Sequence, residues 1–266
     1  MSPYIDCHNH LQDKAFDPDR QDTIALALEH RIQYSVVNGT HPHDWIKIDK
    51  LAQQYEHVIP CFGLHPWFIN AIQGSAWQLQ LRNLLEKSPS GVGEFGLDLW
   101  KKGASLELQI PVFRFQWTLA ADLDRPAIIH CLKAWGPFMK EIKEVSNRPR
   151  RFMIHGFGGP TDLIAPLVRA GAYFSVAGNI LESDRTKAHQ VLRAIPLNRL
   201  LIETDAPDMC PPPTFCRDTT SKPKRNEPAN LPTILTGLAA LRPESEETLI
   251  QAVYTNSQRF LEGLIP

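Results

Sequence analysis

Short apolar runs alternate with longer stretches of helical periodicity along the whole chain. The runs cover residues 3–7, 34–37, 58–62, 91–94, 126–130, 152–155, 172–176 and 200–202. They carry β-branched or aromatic side chains and end near Gly, Pro, His or a carboxylate, which predicts eight buried strands. Between them, Ile24, Ala27, Leu28 and Arg31 follow helical spacing, as do Leu81, Leu84 and Leu85, and Leu163, Leu167 and Ala170. Segments 106–123, 134–145 and 184–195 are patterned alike, and 231–241 and 244–262 read as helices at the tail. Pro111 is expected to start or kink its helix rather than lie inside it. Eight strand–helix alternations over this length predict a single TIM-type (β/α)8 barrel spanning 1–266 as one domain. The rival, an open doubly wound sheet, carries a glycine-rich turn after its first strand. Here that strand leads into His8-Asn9-His10 instead. The Pro-rich stretch 206–228, with Lys222, Lys224 and Arg225, follows the last strand and reads as a long active-site loop.

Composition narrows the class. With 43% hydrophobic and 21% charged residues, disorder and collagen-like structure are excluded. The net charge of −1 supplies no whole-molecule field toward nucleic acid or membrane, so any polyanion must be gripped by a local patch or a metal. The start MSPYIDCHNH has neither basic nor apolar leader character, and no secretory signal is expected. The longest charge-free stretch, 57–81, is broken by Pro60, Gly63 and Pro66 and cannot span a bilayer. Five cysteines, with Cys7, Cys61 and Cys131 in or beside apolar runs, predict buried thiols in a reducing, cytoplasmic setting. Cys210 and Cys216 have no partnering His nearby and are not read as a zinc pair. No obligate protein partner is evident.

The chemistry gathers at the strand ends. His8 and His10 close the first predicted strand, Glu94 the fourth, His130 the fifth and His155 the sixth, and Asp205 follows the eighth. In a parallel barrel these ends emerge on one face. Residues two apart in an extended chain point the same way, so His8 and His10 aim together. Imidazoles and carboxylates converging there require compensating positive charge, and the mixed set suits Zn or Mn better than Mg. By contrast His30, His57 and His189 are read as surface residues, and His41 and His43, flanking Pro42, as a turn at a helix start.

These motifs resemble the TatD-like metal-dependent hydrolases, the TatD deoxyribonucleases of the amidohydrolase-like barrels. The match runs through IDCHNH (5–10), GLHP (63–66), VGEFGLD (92–98), Gln109 with Phe113 and Gln116, IIH (128–130), IHGFGG (154–159), IETDAP (202–207) and NEPANL (226–231). The resemblance implies that His8, His10, Glu94, His130, His155 and Asp205 hold two divalent ions (Zn, Mn or Mg), with Glu94 bridging. It adds His65 and Glu203 as further active-site positions. Two departures touch substrate contacts. His130-Cys131-Leu132-Lys133-Ala134 replaces the family's H-S-R-D-A, so Leu132 stands where an Arg could hold a phosphate, and Leu99-Trp100-Lys101-Lys102 replaces an aromatic pair followed by Arg.

The expected activity is phosphodiester hydrolysis by a deoxyribonuclease or exonuclease through a metal-activated hydroxide, with DNA or a small phosphate ester as substrate. Asp205 is the expected general base, Glu94 fixes the ion pair, and Glu203, two residues before Asp205, orients a ligand from behind. His65 follows the third strand and is a candidate donor to a phosphate oxygen, weighed against loop packing. Lys101, Lys102, Lys222, Lys224 and Arg225 are candidate backbone contacts, weighed against plain solvated surface. Trp67, Phe68 and Trp100 are candidates for base stacking, weighed against core or loop packing. Arg148, Arg150 and Arg151 precede the sixth strand and belong to the opposite face. The alternatives are the same metal barrel hydrolysing a small ester, lactone or amide, or a scaffold that no longer turns over.

Overall fold

The computed structural model describes residues 3–217 and 225–265. Lys222 and Lys224 lie outside the described residues. Eight strands, β1 (Tyr4–Asn9), β2 (Ile32–Asn38), β3 (Val58–Phe62), β4 (Gly91–Asp98), β5 (Ala127–Leu132), β6 (Phe152–Ile154), β7 (Ala172–Val176) and β8 (Leu200–Ile202), form one sheet in sequence order. Every neighbouring pair is parallel. The seam between β8 and β1 is joined just past β8, where Asp205 N–H donates to His8 O at 2.9 Å and His10 N–H to Ala206 O at 2.8 Å. The buried Asp6 carboxylate reinforces that seam by accepting from Thr204 N (2.9 Å), Thr204 Oγ1 (2.6 Å) and Asn9 Nδ2 (3.0 Å). This is the expected (β/α)8 barrel.

The crossovers are α1 (Arg20–Glu29), α2 (Pro42–Gln54), α3 (Ala76–Lys87), α4 (Leu106–Asp122), α5 (Trp135–Glu144), α6 (Ile164–Arg169), α7 (Thr186–Ala194), α8 (Leu231–Ala239) and α9 (Glu246–Phe260). Their apolar stripes cover the outer sheet face, where Phe95, Phe113, Trp117 and Phe152 are fully buried. The barrel interior is a second, smaller apolar cluster. It takes Ile5 and Cys7, Ile59 and Cys61, Ile128, Met153, Tyr173 and Leu201 from alternate strand positions, and Phe260 and Leu261 join it from the end of α9. Burial pushes the Cys61 thiol up to about 12, so it is an inert packing group, as expected of the apolar-run cysteines. None of the helices among the described residues is long and apolar enough to cross a membrane.

Two sequence expectations change. Pro111 lies inside α4, which runs through it without interruption. Proline there forfeits only a bond to the carbonyl of Glu107 in the exposed first turn, which water can satisfy. The histidines His30, His57 and His189 are half-buried rather than surface residues. His41 does begin α2, as its N-cap, with Pro42 at the first helical position.

Gly96 shows how closely β4 and β5 approach beneath the site. A Cβ on Gly96 would fall 1.8 Å from the carbonyl oxygen of His130. Gly96→Ala is therefore expected to cost more than the ~1–3 kcal/mol of ordinary overpacking, because backbone rather than a side chain must yield. Thermal unfolding would register a drop of at least roughly 6 °C in Tm. A smaller drop would show that the strands can spread.

Candidate metal and active site

Polarity of the inner face changes along β1 and β4. Ile5 and Cys7 of β1 point into the barrel, yet the following side chain to enter the site is His8, and the β1–β2 register shifts between Asp6 and Asn9. In β4 the register with β5 shifts between Val92 and Phe95, which brings Glu94 inward. Glu94 and His130 lie within β4 and β5 rather than at their ends, because those strands continue to Asp98 and Leu132. These irregularities switch both strands from apolar filling below to polar side chains at the rim.

Glu94 is the centre of the cluster. Its Oε2 lies 3.4 Å from His8 Nε2 and 3.6 Å from His10 Nε2. Asp205 Oδ1 is 3.4 Å from each of the same two nitrogens, which are themselves 3.2 Å apart. Glu94 Oε1 lies 2.8 Å from His155 Nε2, 3.0 Å from His130 Nδ1 and 3.3 Å from His65 Nε2. One carboxylate thus offers each oxygen to a separate set of imidazoles.

The surrounding hydrogen bonds decide which ring nitrogens have lone pairs to offer. His10 Nδ1 donates to Asn38 O at 2.9 Å and His130 Nε2 donates to Asp98 Oδ2 at 2.8 Å, so their other nitrogens face Glu94. His65 is oriented the other way. Its Nδ1 accepts from Trp67 N–H at 3.0 Å, leaving the neutral ring with its hydrogen on Nε2, toward Glu94. Burial, against the pull of Glu94, holds His65 down to about 4, so it is neutral near pH 7. Behind His155, Glu203 Oε1 is 3.7 Å from Nδ1 and accepts from Gly156 N–H at 2.7 Å, while Oε2 accepts from Ser175 Oγ.

The charges favour a cation. Burial alone would raise the Glu94 carboxyl, but His155, His65 and His130 hold it well below the usual range. Burial likewise opposes a charge on His10 and His155, yet Asp205 drives the former up to about 9 and Glu94, with Glu203, drives the latter well above its ordinary value. The carboxylates thus draw positive charge into a buried site. A divalent ion would supply it while displacing those protons. Ligands about 2.0–2.1 Å from a tetrahedral ion lie about 3.3–3.4 Å apart, close to the spacing around His8, His10, Glu94 and Asp205. His8 Nδ1 is buried with no hydrogen-bond partner, so its ring is not turned away from the site by any competing bond. Three ligand-spaced groups recur here: His8, His155 and Asp205; His8, His10 and Glu94; and His65, Glu94 and His130. The donor set fits divalent metal.

Helix α4 keeps the neighbouring backbones in place. Gln109 accepts from Asp98 N–H and donates to Asp98 O, both at 2.8 Å, while Gln116 accepts from Leu64 N–H at 2.7 Å and donates to Leu64 O at 3.2 Å. With Phe113 buried between them, the stripe fixes the end of β4 and the turn carrying His65. Sequence reasoning missed Asp98, although its spacing of four from Glu94 in a strand places both on one face. Its Oδ1 accepts from Trp100 N–H (2.7 Å) and Lys101 N–H (2.8 Å), and its Oδ2 accepts from Trp67 Nε1 (2.9 Å) as well as His130.

A cavity of about 970 Å³ opens over the cluster, lined by His10, His65, Glu94, His130, His155 and Asp205 and by rim residues including Lys14, Trp67 and Trp100. A larger groove of about 1420 Å³ along α9 contains none of the ligand-spaced groups. Lys101 lies at the rim, its ammonium donating to Trp67 O at 3.2 Å and set over the Trp67 ring at 5.2 Å. Arg225 is committed elsewhere, paired with both oxygens of Asp19 at 2.7 Å and with Glu227 at 2.7 Å. Cys216 Sγ donates to Pro211 O, and neither it nor Cys210 joins a ligand-spaced group among the described residues.

A parallel barrel with a buried, doubly faced carboxylate–imidazole cluster at the rim of its strands defines a metal-site barrel. The profile of the TatD related DNase family matches residues 5–262, and the chain belongs to that family. It is 30% identical over 249 residues to the 3'-5' ssDNA/RNA exonuclease TatD of Escherichia coli K12, covering 92% of this chain and 94% of that one. It is 28% identical over 257 residues to the uncharacterized metal-dependent hydrolase YjjV of the same organism, covering 96% of each. The crystal structure of the TatD homolog YjjV superposes with a TM-score of 0.88, at 27% identity and 97% coverage of both chains.

Proposed function

We propose that this protein is a two-metal phosphodiesterase that degrades single-stranded DNA from its ends, built as one domain over residues 1–266. The observation that carries the reading is Glu94 presenting Oε2 to His8 and His10 and Oε1 to His130 and His155. His8, His10, Asp205 and Glu94 Oε2 would hold one ion, and Glu94 Oε1, His130 and His155 the other, with zinc or manganese favoured over magnesium by the imidazoles. When bound, such ions supply Lewis acidity and lower the pKa of water. Asp205 takes the proton of the attacking water and returns it to the leaving oxygen. His65 donates from Nε2 to a non-bridging phosphate oxygen, a role its tautomer supports. Glu203 and Asp98 position His155 and His130. The name of the Escherichia coli exonuclease relative supports nucleic acid as the substrate class.

The test is direct. Purified protein loaded with Mn, Zn or Mg is incubated with an end-labelled oligonucleotide beside a panel of small phosphate esters, carboxylic esters, lactones and amides. Progressive shortening of the oligonucleotide is expected. An intact oligonucleotide in every metal, with turnover of a lactone, carboxylic ester or amide, would overturn the reading.

Asp98→Asn should weaken the ion held through His130 by roughly 10- to 100-fold, the usual consequence of losing the group that orients a ligating imidazole. Metal titration of the variant would show one weakened and one unchanged affinity. Two unchanged affinities would remove Asp98 from the account.

A further inference from the structure

Large aromatic side chains are usually buried, and an exposed pair facing an active-site cavity calls for a ligand. Trp100 is 56% exposed and Trp67 is 38% exposed, with ring centroids 6.1 Å apart. Both line the cavity over the metal cluster, as does Leu132, which is 37% exposed. They come from the turns after β4 and β3 and from the end of β5. The Trp67 indole and the backbone that carries Trp100 are both anchored. Asp98 accepts from the Trp67 indole N–H and from the Trp100 backbone N–H, and the same carboxylate accepts from His130. Trp67 and the turn bearing Trp100 are therefore tied, through the one buried Asp98 side chain, to His130 of the metal cluster.

Position 132 sharpens the chemistry. Leu132 extends the apolar wall and has no donor to offer a phosphate. Cations reach this cavity as Lys14 from the turn after β1 and Lys47 from α2, and Lys101 stands at its rim beside Trp67. Lys101 covers part of the Trp67 ring, 5.2 Å from its centroid, so the open π surface beside the cluster is chiefly the Trp100 ring, inclined 31° to Trp67 and flanked by Leu132, which suits a heterocyclic base.

We propose that Trp67, Trp100 and Leu132 form a stacking subsite for the base of the nucleotide flanking the scissile phosphodiester, so that the protein selects its substrate by an unpaired base. The proposal rests on the nuclease reading above and specifies its substrate. A base paired within a duplex has both faces covered by its neighbours, so it must unstack before it can lie on Trp100. Stacking acts in ground-state binding and is expected in KM more than in kcat.

The experiment compares an oligothymidylate with an equally long chain of abasic tetrahydrofuran phosphates, using metal-loaded wild type, Trp100→Ala and Trp100→Phe. Wild type should lose about 5- to 150-fold in kcat/KM on the base-free chain, mostly through KM. Trp100→Ala should lose a similar factor on oligothymidylate and little on the base-free chain, and Trp100→Phe should recover most of it. Equal losses by Trp100→Ala on both chains, or a wild type indifferent to the bases, would overturn the subsite. A second readout separates this outcome from failure of the nuclease reading. Tryptophan fluorescence is followed while the metal-loaded protein is titrated with a methylphosphonate oligothymidylate that resists hydrolysis. Quenching in wild type that is lost in Trp100→Ala supports the subsite even if no chain is cleaved. Absence of quenching in wild type refutes it.

Discussion

Glu94→Gln is expected to lose on the order of 10³-fold or more in kcat/KM and to retain at most one tightly held ion per chain. The carboxylate presents one oxygen to His8 and His10 and the other to His130 and His155. A glutamine keeps the shape but turns one of those oxygens into an amide nitrogen, a donor without a lone pair to offer. Whichever way the amide lies, one imidazole set loses its shared acceptor, and the buried site loses a unit of negative charge. Kinetics on an oligonucleotide, together with elemental analysis and circular dichroism, would separate this effect from unfolding. A folded variant with both ions and activity within tenfold of wild type would remove Glu94 from its bridging role.

Asp205→Asn is expected to lower kcat by 10²- to 10⁴-fold at saturating metal while KM changes little. Asp205 Oδ1 faces the Nε2 atoms of His8 and His10 at 3.4 Å. Burial would raise its carboxyl, but His10 and His8 hold it below the usual range, so it is ionised at neutral pH. Its backbone occupies the left-handed region at φ 53°, which asparagine also tolerates, so the turn after β8 should survive the change. The variant removes the basic oxygen without the strain a β-branched residue would bring. Retention of full kcat would assign the proton transfer to another group.

The eight-strand rhythm was legible because buried parallel strands must be continuously apolar, whereas their rims must not be. His130 and His155 close such runs and Asp205 follows one, and two-residue spacing gave the shared aim of His8 and His10. What could not be read was the parity change in β1 and β4, since a register shift is a property of a strand pair and not of either sequence alone. Asp98 had a local signal in its distance from Glu94, but its role depends on partners on three other segments. Arg225 shows the limit most plainly. As a loop cation near the last strand it reads as a candidate phosphate contact, while its partner Asp19 lies 206 residues away. Asp98 likewise joins Trp67 to the turn carrying Trp100, across 31 residues of sequence.

The central claim is that Glu94 divides the cluster into two ion sites. Elemental analysis of freshly purified protein, followed by anomalous diffraction from its crystals, tests it most directly. Two ions about 3.5–4 Å apart are predicted, both touching Glu94, one beside His8, His10 and Asp205 and the other beside His130 and His155. A single ion per chain under saturating metal, or a pair that Glu94 does not touch, would contradict it.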